Sequence, residues 1–239
     1  MTPPVRGVLL DAGNTLVFPD PVRIRRVLVE HGAEDSTELF RDAEREARLA
    51  LSLATGERAT GHEDQFWRDY FTTLFRLTGV PPGSIDRVGE ALKALHATDH
   101  LWSHVAGGTE EALVAVREAG YRLGVVSNAD GRVEALLEDR GLASLVEFVL
   151  DSHVVGVSKP DPRIFRMGVE RLGLPADEVL YVGDLYAVDV LGARAAGLRT
   201  VLLDPFGVLG RWKVDRIPSV LDLPGYLERL EGGRGAEAS

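Results

Sequence analysis

The sequence predicts a doubly wound α/β fold: a parallel sheet with helices on both faces and a helical segment inserted after the first strand. Three observations point there. Short apolar runs rich in β-branched residues recur along the chain, helix-length stretches separate the later ones, and a long strandless stretch follows the first. Continuous rather than alternating hydrophobicity fits strands buried on both faces. Strands alternating with helices imply right-handed crossovers and a parallel sheet.

Val8-Leu9-Leu10 is the first strand run. From residue 18 to 104 no strand-like run is read, and the periodicity is helical. Val22 to Val29 predicts a first helix, and Leu39, Ala43 and Ala47 mark a second. Phe66, Tyr70 and Leu74, with Trp67, Phe71 and Phe75, form a wide apolar stripe on a third. Gly79-Val80-Pro81-Pro82-Gly83 breaks the chain before a fourth. A helix over 108–119 then leads to the run Leu123 to Val126, and helices over 131–141, 161–173 and 187–197 alternate with Phe148-Val149-Leu150, Val179 to Val182 and Val201-Leu202-Leu203. The expected organisation is a core of residues 1–17 and 105–231, an insert of 18–104, and a Gly-rich tail, 232–239, expected to be disordered.

Composition narrows the function. With 239 residues the chain is long enough to bury a sizeable core. A net charge of −10 argues against a nucleic-acid partner. The absence of cysteine excludes disulfides, thiolate catalysis and Cys-ligated zinc. No run approaches the ~20 apolar residues of a membrane span, and Met-Thr-Pro-Pro-Val-Arg does not resemble a signal peptide, so a cytoplasmic location is expected. Neither G-x-G-x-x-G after a strand nor a P-loop is present.

Ligands of open α/β sheets gather at the carboxyl ends of the strands. Those ends read Leu10-Asp11-Ala12-Gly13-Asn14-Thr15-Leu16, Val126-Ser127-Asn128-Ala129-Asp130, Val157-Ser158-Lys159-Pro160-Asp161 and Val182-Gly183-Asp184-Leu185-Tyr186-Ala187-Val188-Asp189. Singly each has an ordinary reading: a turn aspartate, a helix cap, a solvated lysine. Together they bring carboxylates, a hydroxyl, an amide and a lysine to one rim. Asp11 with Asp184 can hold a hard cation such as Mg²⁺ through oxygen. Ser127 and Lys159 can bind phosphoryl oxygens.

On these stretches, occurring in order over about 5–18 and 105–204, the sequence resembles the haloacid dehalogenase (HAD) superfamily. The resemblance implies a Rossmann-like core and, for the insert, the helical cap of subclass I members. It also implies a small phosphorylated metabolite as substrate. Asp11 would be the nucleophile that becomes an aspartyl-phosphate, with Thr15 supporting its loop. Ser127 would bind the transferring phosphoryl group, Asn128 would border it, and Lys159 would neutralise charge between Asp11 and phosphate. Asp184, the Gly13 carbonyl and Asp189 would bind Mg²⁺ with Asp11, Asp189 directly or through its surroundings.

One departure stands out. Phosphatases of the family usually carry a general acid two residues after the nucleophile, and here that residue is Gly13. Two alternatives follow: a phosphate- or metabolite-binding protein impaired in turnover, or a 2-haloacid dehalogenase, which needs no leaving-group proton and no metal. Asp184 and Asp189 favour phosphoryl chemistry over dehalogenation. Within the insert, His62, Glu63 or Asp64 is a possible source of the acid, and Arg58, Thr60 and His62 are possible substrate contacts. Arg41, Arg45 and Arg48 read as a solvated helix face. His96, His100 and His104 fall four apart, which on one continuous helix would suit zinc, but no acidic ligand is forced into place and the helix is read as ending near Trp102-Ser103. Lys159, read as a loop residue, is expected to matter for turnover and little for stability.

Overall fold

The structure, a computed structural model, describes residues 3–57 and 63–237. The chain divides into two compact units, Met1–Val17 with Val105–Ser239, and Phe18–His104. Strand β1 (Gly7–Leu10) opens the first unit, with each of its residues buried.

The second unit begins with β2 (Phe18–Pro19). Asp20 caps α1 (Pro21–Glu30): its carboxylate accepts from the Val22 and Arg23 N–H groups at 2.9 and 3.1 Å, and Pro21 fills the first turn. Ile24 and Leu28 are the buried face of α1, whereas Val22 is 64% exposed. Next come α2 (Thr37–Glu57) and α3 (Glu63–Leu77), which pack on each other. Phe40, Ala43, Ala47 and Leu51 from one, and Tyr70, Leu74 and Phe75 from the other, are buried. Helix α4 (Ile85–Thr98) adds Val88 and Leu92, and β3 (Trp102–His104) closes the unit by pairing antiparallel with β2.

This ribbon corrects the strandless reading of residues 18–104; two- and three-residue strands, Phe-Pro and Trp-Ser-His, are too short to show a period. Trp102 is held edge-to-face by Trp67 at 5.0 Å and Phe71 at 6.2 Å. The three histidines do not line one helix, in keeping with a helix that ends before Trp102. Because α4 ends at Thr98, His100 lies in the following loop and His104 on β3, so they share no helix face. His96 instead accepts the Leu101 N–H on Nδ1 at 3.2 Å. Arg48 is not solvated: it is buried, 3.3 Å from Glu44 one turn earlier.

The first unit resumes with α5 (Thr109–Glu118), β4 (Arg122–Ser127), α6 (Val133–Asp139), β5 (Val149–Asp151), α7 (Ser152–Val155), α8 (Pro162–Leu172) and β6 (Val179–Gly183). A π-helical turn, Tyr186–Val190, runs into α9 (Leu191–Ala195), followed by β7 (Arg199–Leu203), β8 (Asp215–Ile217) and α10 (Leu223–Glu237). The strand order is β5-β4-β1-β6-β7-β8, with every pairing parallel. Chain order therefore reverses at β1, flanked by β4 and β6, and such a switch point opens a crevice at the carboxyl ends of the strands.

Leu9, Val126, Leu150, Phe165 and Tyr181 form part of one fully buried cluster between this sheet and its helices. Gly168 lets α8 close on it, since a β-carbon there would lie 2.8 Å from the Leu9 side chain. Strand β8 has no counterpart in the sequence reading, because two of its three residues, Asp215 and Arg216, are exposed and charged. Helix α10 is described through Glu237, into the Gly-rich stretch marked as a tail. Among the described residues no helix is long and apolar enough to cross a membrane.

Candidate active site

The switch point brings the predicted residues together. The Asp11 N–H donates to the Val182 carbonyl at 2.9 Å, so the ladder between β1 and β6 extends one residue and aims Asp11 at the crevice. Ser127 is the last residue of β4, and Asp184 follows β6 directly. Asp11, Ser127, Lys159, Asp184 and Asp189 are all buried, although they are polar or charged. Behind Asp11 the loop folds on itself, with the Leu16 and Val17 N–H groups donating to the Ala12 carbonyl at 2.9 and 3.0 Å. Asn14 takes the left-handed conformation (φ 53), which asparagine tolerates better than most residues. Thr15 lies fully buried in this loop, and its hydroxyl has no hydrogen-bond partner among the described residues.

Lys159 is the hub. Its Nζ lies 2.8 Å from Asp11 Oδ1, 2.7 Å from Asp189 Oδ1 and 3.0 Å from the Tyr181 hydroxyl. The Tyr181 hydroxyl in turn donates to the Val126 carbonyl at 2.9 Å, tying the lysine to β4 and β6 at once. Asp189 Oδ2 accepts the Leu185 N–H at 2.9 Å. Its carboxyl carbon lies only 2.5 Å from where a β-carbon on residue 183 would sit, which is why that residue is glycine. Asn128 has a task the sequence did not suggest. Its Oδ1 accepts the Lys159 N–H at 2.8 Å while its Nδ2 donates to the Lys159 carbonyl at 3.0 Å, clamping the lysine's backbone.

Charge explains the rest. Asp11, Asp184 and Asp189 each offer a carboxylate oxygen, all within 4.8 Å of one another. Burial pushes Asp11 up to about 6; Lys159 pulls it down and Asp189 pushes it up. Burial also disfavours the Lys159 ammonium, yet Asp11 and Asp189 outweigh it and hold the lysine charged, well above its usual value. Burial likewise raises the Tyr181 phenol, which stays neutral. Three buried carboxylates, two of them against one ammonium, are a donor set suited to a hard, oxygen-seeking cation. The same geometry overturns the expectation that Lys159 contributes little to stability: a lysine 4% exposed between two carboxylates is structural as well as chemical.

Three residues that the sequence reading passed over belong to this site's support. Tyr181 carried a signal: a hydroxyl inside the apolar strand run Val-Leu-Tyr-Val needs a partner when buried. Asp151 and Ser152, after β5, pin the loop behind Asn128; Asp151 Oδ2 accepts the Gly131 N–H at 2.9 Å and Ser152 Oγ the Ala129 N–H at 3.1 Å. Nothing local in the sequence marks those two. His62 lies outside the described residues, as do Arg58 and Thr60, and so do the side chains of Glu63 and Asp64.

A core with its switch point at β1, and acids, serine and lysine meeting there, define a hydrolase of the HAD type. The chain belongs to the haloacid dehalogenase-like hydrolase family, whose model matches residues 5–197. It is 36% identical over 176 residues, 73% of this chain and 70% of the relative, to haloacid dehalogenase-like hydrolase domain-containing protein 3 of Mus musculus. It is 31% identical, over 83% of this chain and 84% of the relative, to a ribulose-1,5-bisphosphate 5-phosphatase of Halopiger xanaduensis. Among solved structures, the HAD-hydrolase YfnB of Bacillus subtilis aligns with a TM-score of 0.65 at 18% identity, covering 94% of this chain and 99% of that one, a likeness of fold.

Proposed function

We propose that the protein is a Mg²⁺-dependent phosphohydrolase acting on a small phosphorylated metabolite through an aspartyl-phosphate on Asp11. One observation carries the reading: the Lys159 ammonium sits between two carboxylates of a buried triad. Relatives named as phosphatases, including a glyceraldehyde 3-phosphate phosphatase of Methanopyrus kandleri at 30% identity, support it.

Asp11, Asp184 and the Gly13 carbonyl would hold the cation. Asp189, whose oxygens already accept from Lys159 and Leu185, suits the role of bracing that set. Bound there, Mg²⁺ would supply positive charge against the carboxylates and the incoming phosphate. A carboxylate oxygen of Asp11 attacks phosphorus, the bond to the leaving oxygen breaks, and that oxygen departs with the bonding pair. Lys159 offsets the repulsion between nucleophile and phosphate, and Ser127 donates to a phosphoryl oxygen. Water then hydrolyses the acyl phosphate, so ester plus water gives alcohol plus phosphate and frees Asp11. No side chain at position 13 protonates the leaving oxygen, so good leaving groups are favoured.

The acidic triad has no use in a metal-free displacement of halide, which sets the dehalogenase reading behind this one. Release of phosphate from an aryl phosphate, and then across a panel of phosphorylated metabolites, tests the proposal. Turnover should require Mg²⁺ and vanish in Asp11→Asn. Turnover indifferent to chelation or to that substitution refutes it, and Mg²⁺-dependent binding without product across the panel leaves a binding protein instead.

A further inference from the structure

A concentration of positive charge lies in a cleft of the first unit away from the acidic triad. At the amino ends of β7 and β8 a cleft of about 580 Å³ is lined by Arg194, Arg199, Lys213 and Arg216, with Trp212 and Asp215 among its walls. That volume falls within the roughly 300–1,000 Å³ of small-molecule sites. Ser127 and Asp184, by contrast, stand at the carboxyl ends of β4 and β6.

Two of these cations, Arg194 and Arg199, are held by neutral acceptors. Arg194 donates to the Thr200 hydroxyl at 3.1 Å and the Lys213 carbonyl at 3.2 Å, and Arg199 reaches the Pro3 carbonyl at 3.5 Å. Such neutral acceptors fix the guanidinium groups and leave their charge. Arg216 pairs with the Asp204 carboxylate at 3.7 Å, and the Asp215 carboxylate, which accepts the Tyr226 hydroxyl at 2.8 Å, keeps its charge. Four basic side chains against the Asp215 and Asp204 carboxylates leave this cleft net positive in a chain of net charge −10. Guanidinium groups present paired N–H donors that match the oxygens of phosphate groups.

We infer that this cleft is a second, anion-binding site, taking a small molecule that carries two or more phosphate groups. Trp212 makes it observable, because its ring forms part of the wall and stacks on Tyr186 at 5.0 Å and 11°.

Inorganic pyrophosphate, titrated calorimetrically into the full-length protein in the presence of chelator, is the probe. The expected result is saturable binding of one equivalent, accompanied by a change in fluorescence that disappears in Trp212→Phe. Affinity should fall at least tenfold in Lys213→Glu, an exposed position whose exchange leaves the melting temperature unchanged, and in Arg199→Gln. Asp11→Asn should bind as the wild type does, which separates this cleft from the acidic site. Equal affinity in wild type and Lys213→Glu overturns the inference, as does loss of binding in Asp11→Asn. Binding matched by chloride at equal ionic strength overturns it too.

Discussion

Replacing Lys159 by methionine removes one buried ammonium while keeping an unbranched side chain that reaches as far as Cε. Its Nζ contacts Asp11 at 2.8 Å and Asp189 at 2.7 Å, and the residue is 4% exposed. Removing one partner of a buried ion pair costs about 3–5 kcal/mol, because the remaining charge stays buried without compensation. For a chain of this size each kcal/mol is worth about 2–4 °C, so the melting temperature should fall by roughly 6–20 °C in chelator at neutral pH.

The loss should depend on pH, with a definite sign. Burial already lifts Asp11 from 3.8 to about 6, and without Lys159 it rises further. A carboxylate raised in the folded state contributes stability that is full below its unfolded value and is lost as pH rises through the folded one. The deficit of Lys159→Met should therefore be small near about pH 4 and widest above about pH 7. Scanning calorimetry of both proteins across that range reads it directly, and adding Mg²⁺ should narrow the gap at neutral pH. A variant melting within about 2 °C of wild type at neutral pH in chelator would refute the account of Lys159 as the hub of the charge network.

Asp11→Asn should abolish turnover yet stabilise the metal-free protein at neutral pH by up to about 3 kcal/mol, the equivalent of its upward shift; a lower melting temperature in chelator would contradict this. Gly13→Asp should raise hydrolysis of alkyl phosphates, by at most the ~10²- to 10⁴-fold of general acid catalysis. A stable variant that binds phosphate but gains no rate would defeat the idea. In the wild type, rate should rise steeply as the leaving group's pKa falls; a flat dependence across aryl and alkyl phosphates would reveal a proton donor elsewhere.

The strand runs and the carboxyl-end residues were legible because they are local properties. A strand buried on both faces must be apolar along its length, so Val8-Leu9-Leu10 and Val179 to Val182 announce themselves. A sheet wound from such strands delivers whatever follows each of them to one rim, and this placed Asp11, Ser127, Lys159 and Asp184 together before any coordinates. Strand β8 escaped because an edge strand with charged, exposed residues carries no such constraint. The helix expected over 187–197 opens instead as a π-helical turn, a local expansion common at functional sites. Periodicity cannot distinguish it from an α-helix.

What the sequence by itself determined is the order of elements and the residue types at the strand ends, since burial and turn chemistry act over a few positions. Only the tertiary structure decided how those residues spend their bonds. Asn128 could not be known to clamp the Lys159 backbone, 31 positions away, nor Tyr181 to tie Lys159 to the Val126 carbonyl. Arg48 read as solvated and Lys159 as dispensable for stability, yet both are buried against carboxylates. Burial of a charged side chain such as Lys159 depends on whether distant parts of the chain supply its counter-charge, and no short window of sequence contains Lys159 with Asp11 or Asp189.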